Sequence, residues 1–470
     1  MSQQRAGEFD EGLVRSISSS MHEPQWLLEA RLRALQAFLS LPLETNSLYT
    51  KYAHISDFDL AELSVSADKQ PVDFRSYFGG HLSGNEKDII LQANDAAVHT
   101  EVEDKLASEG LLFIPMSDAL RTHEAAVKPL FEERLVKSVQ DKYAAFVDAF
   151  FNSGTFVLVP RGVKVPGPLR KMLLTDGSGR GVVDLTLVRA EEEASLVLLE
   201  ELYSKGPTAR ALVASTVEIH AEPSSNVDYS TIQLLGDGTV HLSNRGIRSA
   251  RDSRVTVSSL SLGASVSRSR MNFLLDGRGS VAEGFEIFFT DGKQRYDFES
   301  NLVHNSPDST GSTQARGVLK GESQSIFKGM IKIVNAAKNS RSYLAHHAMI
   351  LERTARSDGI PGLEIDNNEV KATHSASVAQ IDEEQLFYLM ARGLSLDAAR
   401  KMVVLGFFEP VLSRVPIEQT REGARFMIEG KWGGERRRLL DRETLLAITG
   451  ETTPEVRESE DIFERHYKYR

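Results

Sequence analysis

Among the twelve histidines of this sequence, His346, His347 and His374 are candidates to hold a metal or move a proton. Neutral imidazole is a good ligand for ions of borderline softness and titrates near neutral pH. His346 and His347 are adjacent, so on a strand they point to opposite faces and do not chelate one metal together. The 470-residue chain contains no cysteine. That excludes disulfides and zinc–thiolate sites, and it removes the usual thiolate ligands of an iron–sulfur cluster. No G-x-x-x-x-G-K-[ST] loop is present, so ATP hydrolysis would have to come from another chain. No H-E-x-x-H or G-x-S-x-G motif occurs either. The glycines of Asp276-Gly277-Arg278-Gly279 lie between two strand-like runs, with no helix to present its N-terminus to a phosphate, and read as turn residues. Asp184, Arg189 and Arg270 are of the type an enzyme acting on acidic polysaccharide needs, but nothing in their spacing gathers them.

The elements that carry these residues fall into four stretches. Residues 1–150 read as mostly helical. Pro24 suits the first turn of a helix, and Leu28, Leu32, Leu35 and Leu39 follow at spacings that place them on one face. A second helix is expected from Pro129 to Phe151, with Phe131, Leu135, Val139, Tyr143, Phe146 and Phe150 on its apolar face. Asp57 to Asn85, rich in Asp, Ser and Gly, reads as irregular. Residues 151–381 form a long series of short strand-like runs separated by Gly, Asn, Asp and Ser, which fits a sandwich, a barrel or a parallel β-helix. The turns recur at irregular intervals, and no exact repeat emerges. Residues 382–415 read as a helix pair. Asp382 with Gln385 is a capping-box variant, Gly393 suits the end of the first helix, Ser395 caps the second, and Gly406-Phe407-Phe408 closes it. Leu386, Phe387, Met390 and Met402 could bury one face of the pair and leave the other for a partner. Residues 416–470 form a charged tail. Within it, the Glu435 to Arg438 run reads as a solvated face.

Composition narrows the function classes. The formal net charge of −11 argues against broad nucleic-acid binding, which needs basic surface to displace counterions. No run approaches the length of a membrane span. The opening MSQQRAGEFDEGL lacks an apolar h-region, so a cytoplasmic protein is expected.

Four groups of residues resemble the SufB/SufD family of iron–sulfur cluster assembly scaffold proteins. They are Glu23-Pro24-Gln25-Trp26 with Arg31; Gly154 to Val157 with Val159-Pro160-Arg161-Gly162-Val163; and His304-Asn305, Arg316-Gly317-Val318 and Phe327 to Ile333. The last is Leu363-Glu364-Ile365, His374 and Asp382 to Tyr388 with Arg392-Gly393. Their order spans Glu23 to Glu409.

The resemblance implies a mainly β protein: a right-handed parallel β-helix core flanked by N-terminal and C-terminal helical domains. It implies a SufD-like subunit that pairs with a cysteine-bearing SufB-type subunit and binds a SufC-type ATPase through the C-terminal helices, with Leu386, Phe387, Met390 and Met402 as docking candidates. The iron–sulfur cluster would sit transiently at the subunit interface, where His374 matches the family's interface histidine, and the isolated chain would hold none. His346 or His347 falls where SufB-type relatives carry a scaffold cysteine, and Ala372 where some SufD proteins carry one. The competing expectations are a β-helix polysaccharide-acting enzyme and a purely structural β-helix protein.

Overall fold

The computed structural model describes residues 9–42, 65, 87–206, 210–415 and 418–433. The Glu435–Arg438 run, and all but residue 65 of the Asp57–Asn85 segment, lie outside the described residues.

The chain from residue 151 onward winds into a parallel β-solenoid. Its strands are β4 (Ser153–Val159), β5 (Lys164–Thr175), β6 (Ser178–Ala190), β7 (Ser195–Ser204), β8 (Arg210–Ala221), β9 (Asn226–Leu234), β10 (Gly238–Ser249) and β11 (Arg254–Ser261). They continue through β12 (Val266–Leu275), β13 (Val281–Thr290), β14 (Arg295–His304), β15 (Thr310–Leu319), β16 (Gln324–Ile333), β17 (Arg341–Ile350), β18 (Arg356–Ile365) and β19 (Lys371–Gln380). From β4 on, odd strands stack in one sheet and even strands in the other, so each coil uses two strands and about eight coils form. The choice left open between sandwich, barrel and β-helix is thereby made.

One turn shows how the winding is specified. Glu193, Ser224, Asp252, Gly279, Asp308 and Asn339 all have positive φ, and each donates its N–H to a carbonyl of the next coil. Only one of these six is glycine. The following residue is a buried serine at Ser225, Ser253, Ser280, Ser309 and Ser340, and Ser309 and Ser340 are hydrogen-bonded at 2.9 Å. The repeat is therefore one of about thirty residues, written in backbone conformation and small hydroxyl side chains rather than in glycines.

Side chains on each strand alternate between the solenoid interior and an outer face. The interior core includes Val157, Leu198, Tyr229, Val257, Phe273, Phe298, Phe327, Ile331 and Leu344. The outer faces are covered by helices. α1 (Glu11–Ser20), α2 (Gln25–Ser40), α3 (Asp104–Ser108), α4 (Met116–Thr122), α5 (Glu124–Glu132) and α6 (Lys142–Phe150) belong to the N-terminal part. Of these, α2 and α6 pack over Leu185, Leu187, Leu212 and Leu242 on the even sheet. Three strands here extend the sheets: β1 (Ile89–Ala93) beside β5, β2 (Ala96–Glu101) beside β1, and β3 (Leu112–Pro115) beside β4. The N-terminal stretch is therefore a cap built on the solenoid as well as a set of helices.

Two helix expectations are corrected. The buried stripe of α2 is Leu27, Arg31, Ala34, Leu35 and Phe38, while Leu39 is exposed. The stripe is rotated because Arg31 turns inward: it pairs with Glu23 at 2.6 Å and donates to the carbonyls of Ala149 and Phe151. The helix expected from Pro129 to Phe151 is two, α5 and α6, and Val139 between them is exposed. The break is set by Asp141, whose side chain caps α6 and also binds Arg268 and Arg270 of the solenoid.

At the other end stand α7 (Glu383–Ala391), α8 (Leu396–Leu412) and α9 (Glu418–Trp432). Asp382 and Ser395 cap α7 and α8 as expected. α8 runs past Gly406-Phe407-Phe408 to Leu412, and the start of the expected tail folds as α9. Val404, Phe408, Val411 and Leu412 of α8, with Met427 and Ile428 of α9, cover Leu260, Ile287, Phe289 and Val318 on the outer face of the odd sheet. Arg316 donates to the Phe407 carbonyl, and the buried Lys431 ammonium donates to the carbonyls of Leu262 and Phe289. Burial pushes Lys431 down to about 7. Among the described residues no helix is long and apolar enough to cross a membrane.

Candidate functional site at the open end of the solenoid

β18 and β19 are the edge strands of the two sheets, and both lie at the C-terminal end of the solenoid. Among the described residues no further strand pairs with either, so each presents an outer sheet edge of the kind that can pair with another chain. The apolar side chains that would form the next core layer are exposed instead: Leu363, Ile365 and Val378, with Ile360 on the outer face.

His374 lies on β19 in register with Leu344 of β17, a fully buried core residue. It therefore takes an inward-facing core position on the last coil of the described residues, and it is exposed. Ala372, two residues earlier on the same face, packs against the interior core. A titratable ligand type thus occupies the rim where the preceding coil carries leucine.

The histidine pair divides as the alternation requires. His347 is on the outer face, where its Nδ1 lies 2.7 Å from Ser377 Oγ. His346 points into the solenoid, is 1% exposed, and stacks on Phe327 with ring centroids 5.1 Å apart and planes 6° from parallel. Neither ring nitrogen of His346 has a hydrogen-bond partner. Burial, reinforced by the charge of His347, pushes it down to about 4, so it is neutral at physiological pH.

The expected docking residues do not share a face. Leu386 is buried, whereas Phe387, Met390 and Met402 are exposed, together with Tyr388 and Leu396. An apolar surface on α7 and α8 results, with Leu386 anchoring it from beneath. Asp184, Arg189 and Arg270 are not assembled. Asp184 is inside the solenoid on Lys171, Arg189 is on the outer face with Glu222 at 3.4 Å, and Arg270 bridges Asp141 and Glu299.

Sequence reasoning missed the polar groups threaded along the interior. Ser153 donates to Asp184 at 3.0 Å, and Lys171 binds Asp184 and, at 3.0 Å, Glu200. Tyr229 donates to Glu200 at 2.5 Å. Arg245 donates to Ser269 and Thr231 at 3.0 and 3.2 Å, and lies 3.7 Å from Glu286. Burial opposes the Lys171 charge, but the Asp184 and Glu200 carboxylates outweigh it and hold that ammonium above its ordinary range. Glu286 has the weaker partner and is pushed up by burial to about 7. Each member stands in a strand that otherwise reads as core, and only their joint inward register brings them together.

Comparison with known proteins adds to this geometry. The family model described as "SUF system FeS cluster assembly, SufBD core domain" matches residues 173–407, half of the chain.

The chain belongs to the SufB/SufD family.

Two relatives show how far the similarity extends. An "Iron-sulfur cluster assembly SufBD family protein" of Staphylococcus aureus strain MRSA252 is 28% identical over 439 residues, covering 90% of this chain and 94% of the relative. A protein of the same description from Staphylococcus haemolyticus strain JCSC1435 is 28% identical over 441 residues, with the same coverage. The SufBD core match begins inside β5 and ends inside α8, so it takes in the open end and His374. A role in iron–sulfur cluster assembly follows from family membership, and a polysaccharide-acting enzyme is not favoured.

Proposed function

We propose that this chain is the SufD-like subunit of a cytoplasmic iron–sulfur cluster assembly scaffold, a partner rather than the cluster's main holder. The observation that carries the reading is the open solenoid end. Among the described residues it offers the end strands of both sheets, exposed core-type side chains and His374, in a chain with no cysteine. A cysteine-bearing SufB-type subunit docked edge to edge there would extend both sheets, cover Leu363, Ile365 and Val378, and place thiolates beside His374. The cluster is then cargo of the assembly, held by histidine and partner thiolates; histidine replaces cysteine in some clusters.

ATP hydrolysis is assigned to a SufC-type partner, because the sequence lacks a phosphate-binding loop. The exposed Phe387, Met390 and Met402 on α7 and α8 are the proposed docking surface, as an amphipathic helix pair offers anchors to a groove. Co-expression with SufB-type and SufC-type proteins tests the reading. The chain is expected to co-elute with both, and elution alone would overturn it.

A further inference from the structure

We infer that a cleft at the N-terminal end of the solenoid, the end away from β18 and β19, is a binding site for a small aliphatic polyamine. The strands that shape it are the last of each sheet at this end, β2 beyond β1 and β3 beside β4. The β1–β2 hairpin reverses at Asn94, whose φ is 49°, and brings Asp95 and Ala97 to the cleft. Pro115 ends β3 and leads into α4, which contributes Ser117 and Asp118. Gly154 lets α4 approach β4, because a Cβ there would lie 3.1 Å from the Met116 Cβ. The enclosed space is about 270 Å3. Ligand pockets begin at roughly 300 Å3, so the occupant is a small molecule.

The lining is rich in acceptors and short of cations. Gln92 is 2% exposed, and its side chain makes one hydrogen bond, from Nε2 to the Asn94 carbonyl at 2.9 Å. Its Oε1 is left to accept from whatever fills the cleft. Ser153 is also buried and directs its one hydroxyl proton at Asp184 and the Val183 carbonyl, so its oxygen lone pairs face donors only. Asp118 is half-exposed and holds Arg121 at 2.9 Å through one carboxylate oxygen, leaving the other. Asp95 adds a second negative charge, 3.7 Å from Arg180. Among the described lining residues there is no lysine or arginine. An alkylammonium group, with three N–H donors and a positive charge, complements this set. Val98, Ala97 and Pro115 supply aliphatic wall for the methylenes between two such groups. A metal ion fits less well, because among the described residues no three His, Cys, Asp or Glu side chains converge to hold one.

The cleft lies at the opposite end from the edges that carry the proposed assembly role, so the inference stands independently of that role and is tested on the full-length chain alone. The probe is putrescine, read by calorimetry and by the methyl resonance of Met21 in protein labelled at methionine methyls. Met21 lines the cleft and is buried, and Met21→Leu assigns its signal. Wild type is expected to bind one equivalent and to shift that resonance, while the uncharged diol of the same chain length does neither. Asp118→Asn should weaken binding about tenfold, the lower end for a hydrogen bond to a charged group. Ala97→Phe, which fills the cleft from an exposed position on β2, should abolish it. Asp104→Asn, an exposed carboxylate on α3 outside the lining, should bind as wild type. Thermal melts show which variants fold, and should Ala97→Phe not fold, Asp118→Asn and the Met21 shift decide the matter. The inference is overturned if the diol binds as tightly as putrescine, if Asp104→Asn loses as much as Asp118→Asn, or if saturating putrescine leaves the Met21 methyl unmoved.

Discussion

Replacing Glu286 with glutamine should remove a pH dependence that the solenoid interior imposes on folding. Glu286 faces inward from β13, with Ser259 and Ala315 beside it in register and Arg245 at 3.7 Å. One of its carboxylate oxygens has no hydrogen-bond partner. Burial raises its pKa, against the pull of Arg245, from the ordinary 4.5 to about 7. Between those values the folded state binds the proton that the unfolded state has released, so stability falls as pH rises through the window and levels off above it. At about 1.4 kcal/mol for each pH unit, the ionised carboxylate costs the fold about 3 kcal/mol by pH 8. Glu286→Gln keeps the shape and stays neutral. The stability of the variant relative to wild type should therefore grow by about 3 kcal/mol from pH 4.5 to 8. Urea unfolding at a series of pH values measures it. The readout should be far-UV circular dichroism, because Trp26 and Trp432 sit on α2 and α9 and their emission reports the helical ends. Parallel pH profiles for the two proteins would refute the reasoning.

Anaerobic reconstitution with iron and sulfide should leave the isolated chain colourless after desalting, because it has no thiolate; a stoichiometric cluster with charge-transfer absorption contradicts this. Phe387→Asp with Met402→Asp should abolish ATPase binding and leave the melting temperature near wild type, checked by pull-down and thermal melt. Deleting the chain from Asp382 is a poorer test, since it would also strip Val404, Phe408, Val411 and Leu412 from the outer face of the odd sheet. His374→Ala should lower cluster yield in the complex without loss of stability, because the side chain is exposed; iron content equal to wild type in a stable mutant complex would make His374 an ordinary rim residue. Arg31→Met should destabilise by about 3–5 kcal/mol, because it leaves the buried Glu23 carboxylate without its partner; urea unfolding followed by Trp26 emission checks it.

The strands that read clearly in the sequence are those with apolar or β-branched runs, such as β6, β8 and β9. β5 was hidden by Pro166 and Pro168, which weaken a strand pattern; the ladder accommodates them by a register shift between Lys164 and Pro168. β15, with the sequence TGSTQARGVL, hides for a different reason. Its inward Gly317 carries no side chain because the ring of Phe288, its in-register neighbour on β13, occupies the space: a Cβ there would come within 2.0 Å of it. The coil repeat was obscured because its left-handed turn position accepts Glu, Ser, Asp and Asn as well as Gly. The helix boundaries failed where tertiary contacts override periodicity, at Arg31 and Asp141. At the site, the opposite-face assignment of His346 and His347 was legible from alternation alone. That His346 lies behind His374 was not, because it depends on a register set by a loop between β18 and β19 whose length carries no such signal.

The central claim, that this chain completes a cluster-assembly scaffold it cannot form alone, is tested most directly by one preparation. The full-length chain is co-expressed with a SufB-type and a SufC-type protein, passed anaerobically over a size-exclusion column, and assayed for iron and sulfide across the peak. Co-elution of all three, with iron and sulfide in that peak and none with the chain by itself, is the predicted result. Elution of the chain alone, with iron and sulfide confined to the other two proteins, would contradict it.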